Sequence, residues 1–469
     1  MAYGYWQSGL WDKEAVFHLF FRRPPFQGGF TIACGLEGVV DYIRNFHFTK
    51  SDIDYLSTLK TEKGGPYFAP SFLKMLSQLK LNISLDAMPE GGVVFPYEPL
   101  LRVQGPLMHC QLLESPLLNL INFPTLIATK AARVCHAAAG DAVLEFGLRR
   151  AQGIDGAITA SRSAYVGGTS ATSNVLAGKL FGIPVQGTQA HSWVMAFDDE
   201  EESFLAFAKV LPDNCVFLVD TYDTIEGVKK AIRVGQWLKE QGKNLLAIRL
   251  DSGDLAHLSI ESRRLLDGAG FHETKIIASN ELDETLISEL KRQGSKVAIW
   301  GVGTNLVTAK DCSALDGVYK LSAILDDQKK WKYTMKLSEQ LAKISNPGLQ
   351  QVRRFFKNGK AVGDVIWDLE LGIEKANTAI DPFDPTKQFK YNGSFETEDL
   401  LKPIFRKGSL VYKLPTLQQI REYRERSLAA FPVGIKRFLN PHTYPVALQE
   451  KLYEMKTSLV KTIRQSKKL

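Results

Sequence analysis

Four clusters of polar residues follow one another at the ends of short apolar runs. Asp220-Thr221-Tyr222-Asp223 follows Val216–Val219, and Arg249-Leu250-Asp251-Ser252-Gly253-Asp254 closes the run from Leu245. Ser279-Asn280-Glu281 follows Lys275–Ala278, and Gly301-Val302-Gly303-Thr304-Asn305 follows Lys296–Trp300. His191 stands apart, on the small-residue stretch Gly187-Thr188-Gln189-Ala190-His191 after Ile183-Pro184-Val185. A histidine on such a loop after a strand is a candidate catalytic residue. Asp223 and Asp251 are carboxylates able to hold Mg²⁺ or ribose hydroxyls. Gly303 and Thr304 can present backbone N–H groups to a phosphate. Arg249 can pair with an anion or stack on an aromatic ring. His191, Asp223, Arg249, Asp251, Asn280, Gly303 and Thr304 together suit a phosphorylated sugar. They leave open an isomerase, an aldolase or a transferase.

The elements that position these groups follow from the cadence. The four runs start 29, 30 and 21 residues apart. Between them, Ile225, Val228 and Ile232, then Leu255, Leu258 and Leu265, fall at helical spacing. Short apolar strands alternating with helices predict parallel βα units, whose sites lie at the strand C-termini. The expected fold is an irregular α/β barrel over 121–345. Residues 1–120 read as α+β, and 346–469 as a less regular C-terminal segment. Val93–Phe95 and Leu100–Val103 read as strands, 116–139 as a helix, and the tail from Leu448 to Ile463 as an amphipathic helix.

Composition narrows the class. The 469 residues are 45% hydrophobic and 23% charged, with a net charge of +7. That is globular, and too weakly basic to imply nucleic acid. No apolar run approaches the roughly 18 residues of a membrane span. Five scattered cysteines without a C-x-x-C pair argue against a disulfide framework or zinc cluster and for a reducing cytoplasm. Ala177-Gly178-Lys179 is no phosphate loop, because Leu180 replaces the required Ser or Thr. Gly301–Leu306 lacks the third glycine of a dinucleotide fingerprint. Gly167-Gly168-Thr169-Ser170 reads as a turn of close backbone packing, and Asp198–Glu202 as an acidic helix start.

LEFGLRRAQG at 144–153, GTQAHSWV at 187–194, VDTYDT at 219–224, RLDSGD at 249–254, ASNELDE at 278–284 and WGVGTNLVTA at 300–309 resemble nicotinate phosphoribosyltransferases. The flanks FRRPPF at 21–26, NFPTL at 122–126 and YKLP at 412–415 do so too, in order along nearly the whole chain. The resemblance implies an α/β barrel flanked by a smaller α+β domain built from both chain ends, with 346–469 packing on the 1–120 domain and on the barrel. It implies a dimeric, Mg²⁺-dependent enzyme that makes nicotinate mononucleotide from nicotinate and phosphoribosyl pyrophosphate. ATP hydrolysis is coupled through a phosphohistidine, which His191 matches. Thr188 and Arg249 match nicotinate contacts, and Phe146 the aromatic that stacks on its ring. Arg149, Asp223, Asp251, Asn280, Gly303 and Thr304 match positions that handle ribose, phosphate and pyrophosphate. Asp251 is the expected Mg²⁺ ligand.

The family carries an Asp-x-Tyr-x-x-Thr motif just before the segment matching Met1-Ala2. Its tyrosine stacks on nicotinate from the neighbouring subunit. The expectation is a start assigned too far downstream or, in a shortened protein, weak nicotinate binding. The alternatives are a nicotinamide phosphoribosyltransferase and a non-catalytic remnant. In the amide-specific relatives a serine stands where this chain has Val219.

Overall fold

The apolar runs of the middle third form parallel strands. The structure, a computed structural model, describes residues 1–374 and 377–466. Residues Leu126–Ser313 make one compact unit; Met1–Thr125 and Ala314–Leu469 make the other.

In the contiguous unit the strands are β1 (Ala142–Glu145), β2 (Ala171–Thr172), β3 (Val216–Leu218), β4 (Ala247–Leu250), β5 (Lys275–Ala278) and β6 (Ile299–Val302). They pair in parallel in the order β2-β1-β6-β5-β4-β3. A bridge from Thr172 to Val185 extends the β2 edge. The expected irregular barrel is thus a parallel half-barrel. Its free edges are tied by a side chain: Gln189 Oε1 accepts a 3.3 Å hydrogen bond from the Leu218 N–H. Helices Thr224–Glu240, Leu255–Gly268 and Glu284–Arg292 return the chain between strands. Each opens on an aspartate, Asp223, Asp254 or Asp283, whose side chain accepts from an N–H of the first turn. Acidic first-turn residues also open Glu200–Val210, as the sequence predicts. Gly227 lets its helix lie against the Val219 carbonyl, where a Cβ would collide. Gly167 likewise packs on the Ala128 carbonyl and the Ala131 methyl, the close approach expected there.

The second unit is built from both chain ends, but it is the larger of the two, not the smaller. It resumes at Ala314, not 346. Strand pairing explains the earlier boundary. Gly317–Leu325 lies antiparallel to Glu14–Phe21 in a seven-stranded sheet that also takes in Leu101–Pro106, Ser84–Ala87 and Lys402–Arg406. A six-stranded sheet holds Gln350–Lys357, Lys360–Asp368 and Val446–Gln449. Phe17, Leu19, Phe21, Leu85, Val103 and Phe405 of the seven-stranded sheet share the main core of this unit. The aromatic start is a short helix, Ala2–Gln7, whose Tyr3 and Trp6 pack on Phe72 at 4.9 and 5.6 Å. The tail forms the amphipathic helix Glu450–Ser466.

Candidate active site

At the C-terminal ends of β1, β4 and β5, and on the 187–191 loop, side chains converge on Arg249. It leaves β4 and is largely buried, with 14% of its side chain exposed. Nε donates to Ser279 Oγ at 2.8 Å, one Nη to Thr188 Oγ1 at 2.7 Å, and the other Nη to Asp251 Oδ1 at 2.8 Å. The guanidinium carbon stands 5.7 Å from the centroid of Phe146. That ring lies against Gly301, where any Cβ would come within 3 Å of it. Glycine on β6 is therefore a requirement of the aromatic platform. The Phe146 N–H donates to the Val302 carbonyl at 2.9 Å. Gly303 is held close to the Phe146 carbonyl, 3.1 Å from the position of a Cβ. Phe146, Thr188, Arg249 and Asp251 thus meet as one group. Its open side offers a cation, a hydroxyl and a flat ring, which suits a planar aromatic carboxylate.

His191 starts the short helix His191–Val194. Its Nε2 is 3.3 Å from Asp220 Oδ1, with the histidine 40% and the aspartate side chain 1% exposed. Asp220 Oδ2 accepts from the Asp251 N–H at 3.0 Å and from Ser252 Oγ at 2.7 Å. One buried carboxylate thereby joins the histidine loop to the β4 end. A carboxylate only accepts, so a neutral His191 would carry its proton on Nε2 and leave the lone pair to Nδ1. Two buried polar atoms nearby in sequence, Gln189 Nε2 and Thr221 Oγ1, have no hydrogen-bond partner among the described residues.

The remaining predicted residues are at strand ends without entering this group. Arg149 is exposed on the turn Leu148–Arg150. Asn280 is exposed, with φ +101°, a left-handed conformation uncommon for a non-glycine and concentrated at functional sites. Thr304 begins the short helix Thr304–Val307 after Gly303. Asp223 is occupied as a helix cap, accepting from the Glu226 N–H at 2.9 Å. Asp220, three residues earlier, is the carboxylate that reaches the histidine, and sequence reasoning passed it over. Its signal was its place as the first carboxylate after the β3 run. Ser279 and Gln189 were likewise unassigned.

Among the described residues no three His, Cys, Asp or Glu side chains gather as a metal cage. A Mg²⁺ ion carried on substrate phosphates needs only one or two protein carboxylates. Asp251 fits, since both its hydrogen bonds fall on Oδ1 and Oδ2 takes none among the described residues.

These features define a parallel α/β half-barrel with an anion-gripping, aromatic-floored centre at its strand ends. Comparison with known proteins gives the family. Residues 142–360 match the nicotinate phosphoribosyltransferase (NAPRTase) family, residues 1–122 its N-terminal domain and residues 349–456 its C-terminal domain. The chain is 44% identical to a nicotinate phosphoribosyltransferase of Bacillus subtilis, over 99% of this chain and 94% of that one. It is 37% identical to one of Caenorhabditis elegans, over 97% and 90%. The crystal structure of human nicotinic acid phosphoribosyltransferase superimposes with a TM-score of 0.85 at 31% identity, covering 98% of each chain. The chain belongs to the nicotinate phosphoribosyltransferase family.

Proposed function

We propose that this enzyme joins nicotinate to phosphoribosyl pyrophosphate, giving nicotinate mononucleotide and pyrophosphate, with ATP as co-substrate. The observation that carries this reading is the Arg249–Thr188–Phe146 group, in a chain of this family. Nicotinate is a flat ring bearing a carboxylate. Its ring would lie on Phe146 and its carboxylate would meet the Arg249 guanidinium and the Thr188 hydroxyl. The pyridine nitrogen would then be aimed at ribose C1, so that encounter becomes near-unimolecular attack. As the C1–O bond breaks, negative charge gathers on the leaving diphosphate. Arg149 and the N–H groups of the Gly303-Thr304 turn are the groups suited to meet it, with Asn280 and Asp223 beside the sugar. Mg²⁺, held at Asp251, would supply further neutralisation of the diphosphate when bound.

His191 receives the ATP γ-phosphate on Nδ1, the nitrogen that Asp220 leaves unprotonated. The phosphoryl group places negative charge beside the diphosphate site, and its hydrolysis resets that site. The enzyme works as a homodimer. The exposed apolar residues Ile154, Val175, Leu176 and Leu180 of the half-barrel unit support a protein contact there. Among the described residues no helix is long and apolar enough to cross a membrane. Free thiols, three of the five buried, suit a reducing cytoplasm.

The test is nicotinate mononucleotide formation from nicotinate and phosphoribosyl pyrophosphate, with and without ATP. Expected is turnover that ATP stimulates in the natural chain and not in H191A. Turnover with nicotinamide in preference to nicotinate would replace the reading with the amide-specific one. A folded dimer that turns over neither would leave a binding remnant.

A further inference from the structure

Five of the six parallel strands end on an uncharged residue: Thr172, Leu218, Leu250, Ala278 and Val302. β1 ends on Glu145, which is 0% exposed. An ion buried this completely is costly unless its lone pairs are filled. Here they are. One oxygen accepts from the Gly147 N–H. The other accepts from Ser161 Oγ at 2.9 Å and Thr172 Oγ1 at 2.6 Å. Asn174 fixes both hydroxyls, its side-chain nitrogen donating to Ser161 Oγ at 3.2 Å and its backbone N–H to Thr172 Oγ1 at 2.9 Å. The carboxylate thus gathers helix Ile154–Gly167, β2 and the first residues after β2 onto the two-residue step that carries Phe146.

Past the ring, the Gly147 carbonyl accepts from the Arg150 and Ala151 N–H groups at 2.8 and 3.1 Å. The Phe146 N–H is tied to Val302, and the next N–H, that of Gly147, is tied to Glu145. Gly147 itself admits no side chain, because a Cβ would strike Val307. The chain then enters the Leu148–Arg150 turn with Arg149 exposed. We propose that Glu145 is a positioning residue for the nicotinate platform: its buried carboxylate sets the Phe146–Gly147 turn, and through it the plane of the ring. This rests on the reading of Phe146 as that platform. An apolar residue would finish the strand equally well but would leave the Gly147 N–H without its acceptor, while the Ser161 and Thr172 hydroxyls would turn to the Ala157 carbonyl at 2.9 Å and to Ser161 Oγ at 3.4 Å.

The test uses the full chain, as wild type, E145Q and E145A, with three readouts: nicotinate KM and kcat, ATP hydrolysis without nicotinate, and amide hydrogen exchange over residues 146–150. In E145Q one carbonyl oxygen must serve donors that two oxygens served. Expected is a nicotinate KM raised about tenfold in E145Q, and more in E145A, with kcat changed far less. Hydrogen exchange should quicken at 146–150 and beside the released Ser161 and Thr172–Asn174, and stay unchanged elsewhere in 126–313. ATP hydrolysis should stay within about twofold of wild type, since His191 lies on a different loop. Unchanged KM and exchange in both variants would overturn the proposal. So would parallel loss of ATP hydrolysis, nicotinate turnover and exchange protection across the whole unit, the mark of a purely structural charge. If E145A does not fold, E145Q, of the same size, decides alone. A wild-type enzyme that ignored nicotinate would sink the platform reading, while the exchange result would still judge the turn.

Discussion

Replacing Asp220 by asparagine tests the histidine centre without changing its shape. In the wild type, Oδ2 holds the Asp251 N–H and the Ser252 hydroxyl, while Oδ1 faces His191 Nε2 at 3.3 Å. The asparagine oxygen keeps the two Oδ2 bonds, so the amide nitrogen must face the histidine. A donor there calls for a lone pair on Nε2 and moves the proton to Nδ1, the atom required to attack ATP. A hydrogen bond to a charged partner contributes about 1.5–3 kcal/mol. At about 1.4 kcal/mol per decade, its loss alone slows phosphorylation about tenfold to a hundredfold. The wrong tautomer adds to that. The assay is acid-labile phosphate on the protein from labelled ATP, beside nicotinate mononucleotide formation with and without ATP. D220N should lose phosphorylation and ATP stimulation while keeping the ATP-independent rate. Wild-type phosphorylation in D220N would refute the assignment of both the carboxylate and the nitrogen.

Two further outcomes follow from the contacts. R249K should lower kcat/KM for nicotinate about a hundredfold, because an ammonium cannot span Ser279, Thr188 and Asp251 as the planar fork does; steady-state kinetics would show it, and a loss under tenfold would contradict the geometry. In the second unit, burial first, and then the Asp364 carboxylate, raises the pKa of the fully buried Glu98 well above the usual carboxylate range. The folded state therefore holds a proton that the unfolded chain releases, so this group's stabilisation is complete at acid pH and falls as pH rises above about 4.5. Thermal melts of E98Q should gain on wild type between about pH 5 and pH 8, and a constant difference would remove the argument.

The strand ends of β3 to β6 were legible because each is a short apolar run stopped by polar residues. β1 and β2 were not read as strands. β2 is two residues long, and the β1 run ends in a buried carboxylate that resembles a surface residue on paper. The same limit left Asp220 unassigned while Asp223 was named. Both lie in one short motif, and spacing alone does not say which caps a helix and which turns inward. That is decided by β3 ending at Leu218, which leaves Asp220 to reach across to β4. His191 and Arg249 were candidates from residue type and place, and Thr188 and Phe146 were named through likeness to the family; the convergence of Thr188, Ser279 and Asp251 on one guanidinium needed the fold. The misplaced boundary at 345 has a similar cause, since nothing local in Gly317–Leu325 announces a partner near the start of the chain.

That pairing also has a consequence for how the protein is made. Glu14–Phe21 is almost entirely apolar and buried, with Leu101–Pro106 on one side and Gly317–Leu325 on the other. On the ribosome its first neighbour emerges early, but its second follows only after the whole contiguous half-barrel unit has been synthesised. Meanwhile one edge of a strongly apolar strand stands open, the condition under which nascent chains mispair and aggregate. Production at reduced synthesis rate or with added chaperone should therefore raise the soluble yield. Cutting the gene after the half-barrel should give a product that fails through this uncovered edge, although the catalytic strands themselves are complete.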